Sequence, residues 1–242
     1  MIELININKT YNGKIKAVDN LNLSIPDGQI IGFIGPNGAG KTTTIKMMTG
    51  ILNPDSGTIK INGIDIRESP LEAKMQFGFV PDNPDIFLRL KGIEYLNFMA
   101  DIYNIPSDLR KSRINDFAKR FDIADALSDQ IQSYSHGMRQ KIVVIGALIH
   151  NPPVWILDEP LTGLDPKSSF SLKEMMREHA QSQKTVFFST HVLEVAEKLC
   201  DRVAIIDRGK VLFWGTMDQL RDQFNTSGDS LEKIFLEMTE NE

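Results

Sequence analysis

The sequence is nearly free of cysteine. Cys200 is the only one in 242 residues, so no disulfide can close within the chain, and a reducing compartment is the simplest setting. In the apolar stretch VAEKLC its thiol reads as a small buried hydrophobe and not as a reactive group. Long hydrophobic runs are missing as well. IVVIGALI (142–149) falls far short of the roughly 20 residues that cross a bilayer, so any work at a membrane needs another chain to span it. MIELININKT has neither the charged start nor the long apolar core of a signal peptide. Basic excess is absent too: 27 Lys and Arg face 32 Asp and Glu, for a net charge of -5. No overall field draws phosphate backbones in, and nucleic acid is not an expected partner. Internal repeats and low-complexity tracts are also lacking.

What is present is ordinary globular material, 41% hydrophobic and 24% charged. A chain this long buries roughly three quarters of its unfolded surface and needs no cross-link or metal to fold. IELINI and LNLSI alternate with period two, as half-buried strands do, and TIKI continues this β-rich opening. IIGFI (30–34), VWILD (154–158), TVFFS (185–189) and VAIID (203–207) are nearly continuous apolar runs. They suit central strands of a parallel sheet covered on both faces. Helical spacing at 41–50, 168–182 and 191–199 gives the βα alternation of a doubly wound α/β sheet. From 88 to 150 the rhythm changes. KGIEYLNFMADIY and RKSRINDFAKRFDI have helical spacing with no strong strand between them, so a helical subdomain is read as inserted into the α/β core. NIPSD and FNTSGDS are the clearest loops.

GPNGAGKT (35–42) fits G-x-x-x-x-G-K-[ST] and stands between an apolar strand and a helix start, the context that motif requires. Its glycines let backbone N–H groups turn inward around phosphate oxygens, and the helix adds its positive dipole end. Lys41 is expected to neutralise the β- and γ-phosphates, and Thr42 to ligate Mg²⁺ through its hydroxyl. VWILDEP (154–160) delivers two adjacent carboxylates at a strand end, pointing to opposite sides. Asp158 can then hold the metal shell while Glu159 faces an attacking water, as phosphoryl transfer requires. STH (189–191) ends another strand, and His191 is either a contact to the γ-phosphate or water, or a structural residue. His150 and His179 read as loop and surface residues.

These motifs together resemble the ATP-binding subunit of an ABC transporter, over nearly the whole chain. GPNGAGKT resembles the Walker A motif, VWILDEP Walker B, LTGLDP (161–166) the D-loop with Asp165, and STH the switch histidine. The resemblance implies a P-loop NTPase core with a mainly parallel sheet, an N-terminal antiparallel β-subdomain and an inserted helical subdomain. The chain would be one domain: 1–87 and 151–220 as β-subdomain and core, 88–150 as helical insert, 221–242 as a C-terminal helical tail. It places ATP against Tyr11, which would stack on adenine, Val18, Asn37, Gly38, Ala39, Gly40, Lys41, Thr42 and Thr43, with Mg²⁺ on Thr42, Asp158 and Asp82, and Glu159 and His191 as catalytic residues. YSHGM (134–138) occupies the place of the family's LSGGQ signature. Ser135 and Gly137 match, Tyr134, His136 and Met138 depart, and Ser135, His136, Gly137 and Met138 would face the ATP of a partner in a head-to-tail dimer. With no Cys or His at ligand spacing around it, His136 is not read as a metal ligand; it replaces a glycine either as a merely tolerated side chain or with its imidazole near a partner's γ-phosphate or ribose. Asp82 stands where the family has Gln, and is read either as a metal or water contact or as a plain turn residue.

The implied function is ATP hydrolysis powering export through separate transmembrane subunits, as a homodimer or a heterodimer with a second ATPase subunit. The implied location is cytoplasmic and peripheral, on the inner face of the cell membrane. DSLEKIFLEMTE and LNPDSGTIKINGIDI resemble the drug- and antibiotic-exporting type. An importer ATPase and a soluble ATP-driven switch are the alternatives. The second fits less well, since neither a doubled cassette nor a long coiled coil is present.

Overall fold

A computed structural model describes residues 1–224 and 230–240. The chain opens with β1 (Ile2–Tyr11), β2 (Ile15–Ile25) and β3 (Ile30–Ile34), then α1 (Lys41–Met48), β4 (Ser56–Ile61), β5 (Ile64–Asp65), α2 (Pro70–Lys74) and β6 (Phe77–Val80). Three helices follow, α3 (Gly92–Ile102), α4 (Ser107–Arg120) and α5 (His136–Leu148). The last part alternates: β7 (Val154–Leu157), α6 (Pro166–Gln181), β8 (Thr185–Thr190), α7 (Leu193–Leu199), β9 (Arg202–Asp207) and β10 (Lys210–Gly215), closed by α8 (Met217–Gln223) and α9 (Leu231–Glu240). Two sheets result. One is antiparallel, in the order β2-β1-β4-β5; the other runs β10-β9-β3-β8-β7-β6. In the second, every pairing from β9 to β6 is parallel and only the edge strand β10 is antiparallel.

The central strands follow from composition. IIGFI, VWIL and TVFFST are buried at every position, because helices cover one face of the sheet and the antiparallel sheet with α1 covers the other. The opening strand is less regular than its alternation suggests. Ile2, Leu4 and Ile7 are buried while Ile5 is exposed, and an odd spacing of three between Leu4 and Ile7 cannot keep one face without an extra residue. A register shift between Leu4 and Ile7 supplies it, with Asn6 in the left-handed region at φ 52°. Asparagine tolerates that region better than a branched residue, and the Asn6 N–H donates to Asn22 Oδ1 at 2.9 Å.

The insert is helical as expected, but it is not separately packed. A single apolar cluster runs from Tyr95 and Leu96 through Phe121, Val144 and Leu148 to Trp155 and Phe188, so α5 serves the insert and the sheet at once. The edge strand β10 has no counterpart in the sequence reading. It carries the short apolar run VLFW, but its burial is irregular, as suits an edge strand. α9 sets Leu231 and Ile234 against Ala196 of α7 and Leu220 of α8. Of the expected tail 221–242 and loop 224–230, positions 225–229 and 241–242 lie outside the described residues. Among the described residues no helix is long and apolar enough to cross a membrane.

His150 lies in the turn after α5, as expected of a loop residue, whereas His179 departs from its expected surface position. His179 is 8% exposed and lies edge-on to Trp155, ring centroids 5.7 Å apart. His150 stacks flat on Tyr103 at 3.5 Å. Burial disfavours the charged imidazole and pushes both pKa values down to about 4, from 6.5. Below pH 6.5 the unfolded chain takes up protons that the fold refuses, so stability present at pH 7 is lost as pH falls from about 6.5 toward about 4. Urea unfolding should show a lower midpoint at pH 5 than at pH 7. His179→Leu should lessen that difference, and an unchanged pH dependence would mean His179 is not held neutral.

Candidate active site

The phosphate loop is built where β3 ends and α1 begins. Gly40 precedes the helix with φ 109°, and a Cβ there would lie 2.4 Å from the carbonyl oxygen of Ala17, so only glycine closes this turn. α1 has no acidic residue in its first turn, which leaves its positive dipole end uncompensated and directed at the loop. Lys41 is 6% exposed. Its Nζ donates to the carbonyls of Gly35 (2.7 Å) and Pro36 (3.1 Å) and lies 3.6 Å from Glu159 Oε1. A cavity of about 220 Å³ opens in front of it, bordered by Ala17, Asn37, Thr42, Thr43, Asp82 and Glu159 among others.

The paired carboxylates at the end of β7 are fixed by one hydroxyl that the sequence reading passed over. Ser189 Oγ donates to Asp158 Oδ1 at 2.5 Å and accepts the Glu159 N–H at 2.9 Å. Its signal in the sequence is STH, where Ser189 stands near the end of the strand beside VWIL, two residues before the histidine. Glu159 has φ 47°, a conformation that costs a non-glycine residue on the order of 1 kcal/mol. The twist carries its carboxylate between Lys41 and His191, whose Nδ1 lies 3.0 Å from Glu159 Oε2. Asp158 is 2% exposed. Burial pushes its carboxyl up from the usual range, hydrogen bonds from Ser189 and Thr42 oppose this, and the charges of Asp82 and Glu159 add to it. Asp158 and Thr42 thus pair two hard oxygen donors beside an excess of negative charge, a donor set that fits Mg²⁺.

YSHGM takes no part in the lining of this cavity. Tyr134 is buried and its hydroxyl donates to the Ala126 carbonyl at 2.5 Å, which seats the start of α5 in the insert. Ser135 is the N-cap, its Oγ accepting the Met138 N–H at 3.3 Å. That long bond leaves the serine proton for another acceptor. Met138 is half-buried against the helical core. The His136 ring lies on the Cα of Gly163, where a Cβ would come 2.3 Å from its Cδ2, and a Cβ at Gly137 would come 2.9 Å from the Gly163 carbonyl oxygen. Asp165 is an N-cap: its carboxylate accepts the Ser168 N–H (2.9 Å) and hydroxyl (2.6 Å) and lies 3.3 Å from Lys141 Nζ. These contacts hold its carboxyl well below the usual range.

Three of the expected ATP contacts lie outside the lining of this cavity. The Val18 side chain is fully buried in the core between the sheets, and its neighbour Ala17 borders the cavity instead, because successive strand residues face opposite sides. Ala39 likewise turns its methyl into that core, leaving only its backbone to the loop. Tyr11, 38% exposed, ends β1 outside the cavity's lining. Cys200 fits its reading, with burial pushing its thiol far up.

A profile of the ABC transporter family matches residues 18–162. The ABC transporter ATP-binding protein NatA of Bacillus subtilis (strain 168) is 34% identical over 240 residues, 98% of this chain and 97% of that protein. The daunorubicin resistance ATP-binding protein DrrA3 of Streptomyces coeruleorubidus is 33% identical over 95% of this chain and 72% of its own length. A solved ATP-binding subunit of an ABC transporter superposes with a TM-score of 0.95 at 32% identity, covering 99% of both chains. The ATP-binding cassette MJ0796, solved as a dimer in a post-hydrolysis state with ADP and Pi, gives 0.81 at 25% identity over 90% of this chain and 99% of that one. A phosphate loop facing a buried aspartate, and a fold shared end to end with these proteins, make the chain a member of the ABC transporter ATP-binding family and an ATPase.

Proposed function

We propose that this chain binds Mg-ATP in a head-to-tail dimer and powers export through separate transmembrane subunits from the inner face of the cell membrane. The observation that carries the dimer is the signature's place: the capped start of α5, with Ser135 and Gly137 at its tip, lies outside the lining of its own cavity. A helix start with no acidic residue in its first turn suits the γ-phosphate of a partner cassette, whether a second copy or a sister subunit. Dimeric MJ0796 supports the pairing of two cassettes. Export rests on relatives named for daunorubicin and linearmycin resistance. The docking face for the transmembrane subunits is the largely apolar hollow lined by Phe87, Leu88, Arg89, Leu90 and Phe98, a few residues beyond Asp82 in the chain.

In this reading Lys41 exchanges its carbonyl partners for the β- and γ-phosphates, and the amides from Asn37 to Thr43 surround them. Thr42 and Asp158, with Asp82 directly or through a water, would hold Mg²⁺, which would neutralise phosphate charge. Tyr11 supplies the adenine stack. Glu159 takes a proton from the water as its oxygen bonds to the γ-phosphorus and the bond to the β-γ bridging oxygen breaks, leaving ADP and phosphate. His191 orients that carboxylate and stabilises the developing charge.

Glu159→Gln should retain ATP binding, lower turnover by a factor on the order of 100 or more, and yield an ATP-dependent dimer in size-exclusion chromatography. Turnover near wild type would remove Glu159 as the base. Ser135→Arg should depress hydrolysis while nucleotide affinity of the monomer is unchanged. Weaker monomer binding would mean the signature meets its own ATP. Asp82→Asn removes a negative charge beside the phosphate site, so ATP should bind more tightly in EDTA and gain less affinity from added Mg²⁺ in calorimetry. Equal gains in both proteins would place Asp82 outside the metal's reach.

A further inference from the structure

The first two turns of α5 hold the loop between Glu159 and α6 along one helical face. Gln140 Nε2 donates to the Pro160 carbonyl at 3.3 Å, Lys141 lies 3.3 Å from Asp165, Gly137 closes on the Gly163 carbonyl, and the His136 ring covers the Gly163 Cα. Positions 136, 137, 140 and 141 share a face because i, i+4 neighbours align on a helix. Gly163 takes φ 76° and has no room for a side chain under the imidazole. Its peptide is therefore confined from the left-handed turn on one side and by a ring on the other. Glycine at 136 would leave that tip uncovered.

We infer that His136 is a positioning residue: its ring clamps the tip of the 160–165 loop to the signature helix, so that Glu159 and Ser135 are carried on one rigid unit. The clamp works by packing and needs no charge. Its consequence falls on the chemical step, because Glu159 lies at one end of the loop and small misplacement of a base is costly in rate. The inference rests on the head-to-tail reading above, since Ser135 matters to hydrolysis only if it meets a partner's ATP.

The test combines kinetics with a double-mutant cycle. His136→Ala should lower kcat roughly tenfold with the KM for ATP unchanged. His136→Phe, a flat ring of similar breadth without a titratable nitrogen, should restore most of the lost rate. Gly163→Ala should be harmful in the wild-type background and clearly less harmful beside His136→Ala, since the ring that a new methyl meets is then gone. Full activity in His136→Ala, rescue by Asn but not by Phe, or strictly additive effects of the two substitutions would overturn the clamp. ATP-dependent dimerisation of Glu159→Gln with and without His136→Ala separates the two levels. No dimer in either removes the head-to-tail reading, whereas a dimer in both with unaltered kcat in His136→Ala removes the clamp alone.

Discussion

The site depends on the parallel pairing of β3, β8 and β7. In register, Ile34 stands beside Thr190 and Leu157 beside Phe188, so all three strands end at one edge and release their next residues into the same volume. The phosphate loop, Asp158 with Glu159, and the Ser189–His191 turn meet for that reason and not through local attraction. Charge repulsion opposes it, since Asp158 and Glu159 bring like charges into a buried corner with Asp82 nearby. Backbone hydrogen bonds and the packing of wholly apolar strands force the carboxylates together. The negative charge that accumulates is then answered locally by Lys41 and by the hydroxyls of Ser189 and Thr42.

Much of this was legible in the sequence because the strands are buried on both faces. Such strands appear as unbroken apolar runs, and IIGFI coincides with β3 residue for residue. The phosphate loop and the carboxylate pair lie within single continuous stretches, so spacing alone exposes them. What escaped needs contacts between distant segments. Ser189 reads as an ordinary strand-end residue until β8 is seen beside β7. His179 looks like a surface residue in REHAQ until the helix is rotated against Trp155. Val18 and Ala17 trade places on a shift of one residue, which a strand converts into a change of face.

The signature region shows the same limit in a different form. YSHGM departs from the family pattern at three positions, and each departure has found a partner in the fold. Tyr134 reaches Ala126 through its hydroxyl, Met138 joins the helical core, and His136 lies over Gly163. None of these partners is adjacent in sequence, so the substitutions look neutral until the chain is folded. Only Ser135, whose hydroxyl caps its own helix, and Gly137, which needs no side chain, keep their meaning without it.

The apolar cluster that joins the insert to the sheet has a mechanical consequence. A lobe attached through a wet boundary can swing on a hinge at little cost, but α5 contributes side chains to both sides of one dry interior. Rotating the insert away from β6 and β7 would expose Trp155 and Phe188 to water, at about 25 cal/mol for each Å² uncovered. Displacement of the insert is therefore confined to small sliding within close-packed layers. A force applied at the Phe87 and Phe98 surface then reaches the carboxyl ends of the strands as a shear, with little slack along the way.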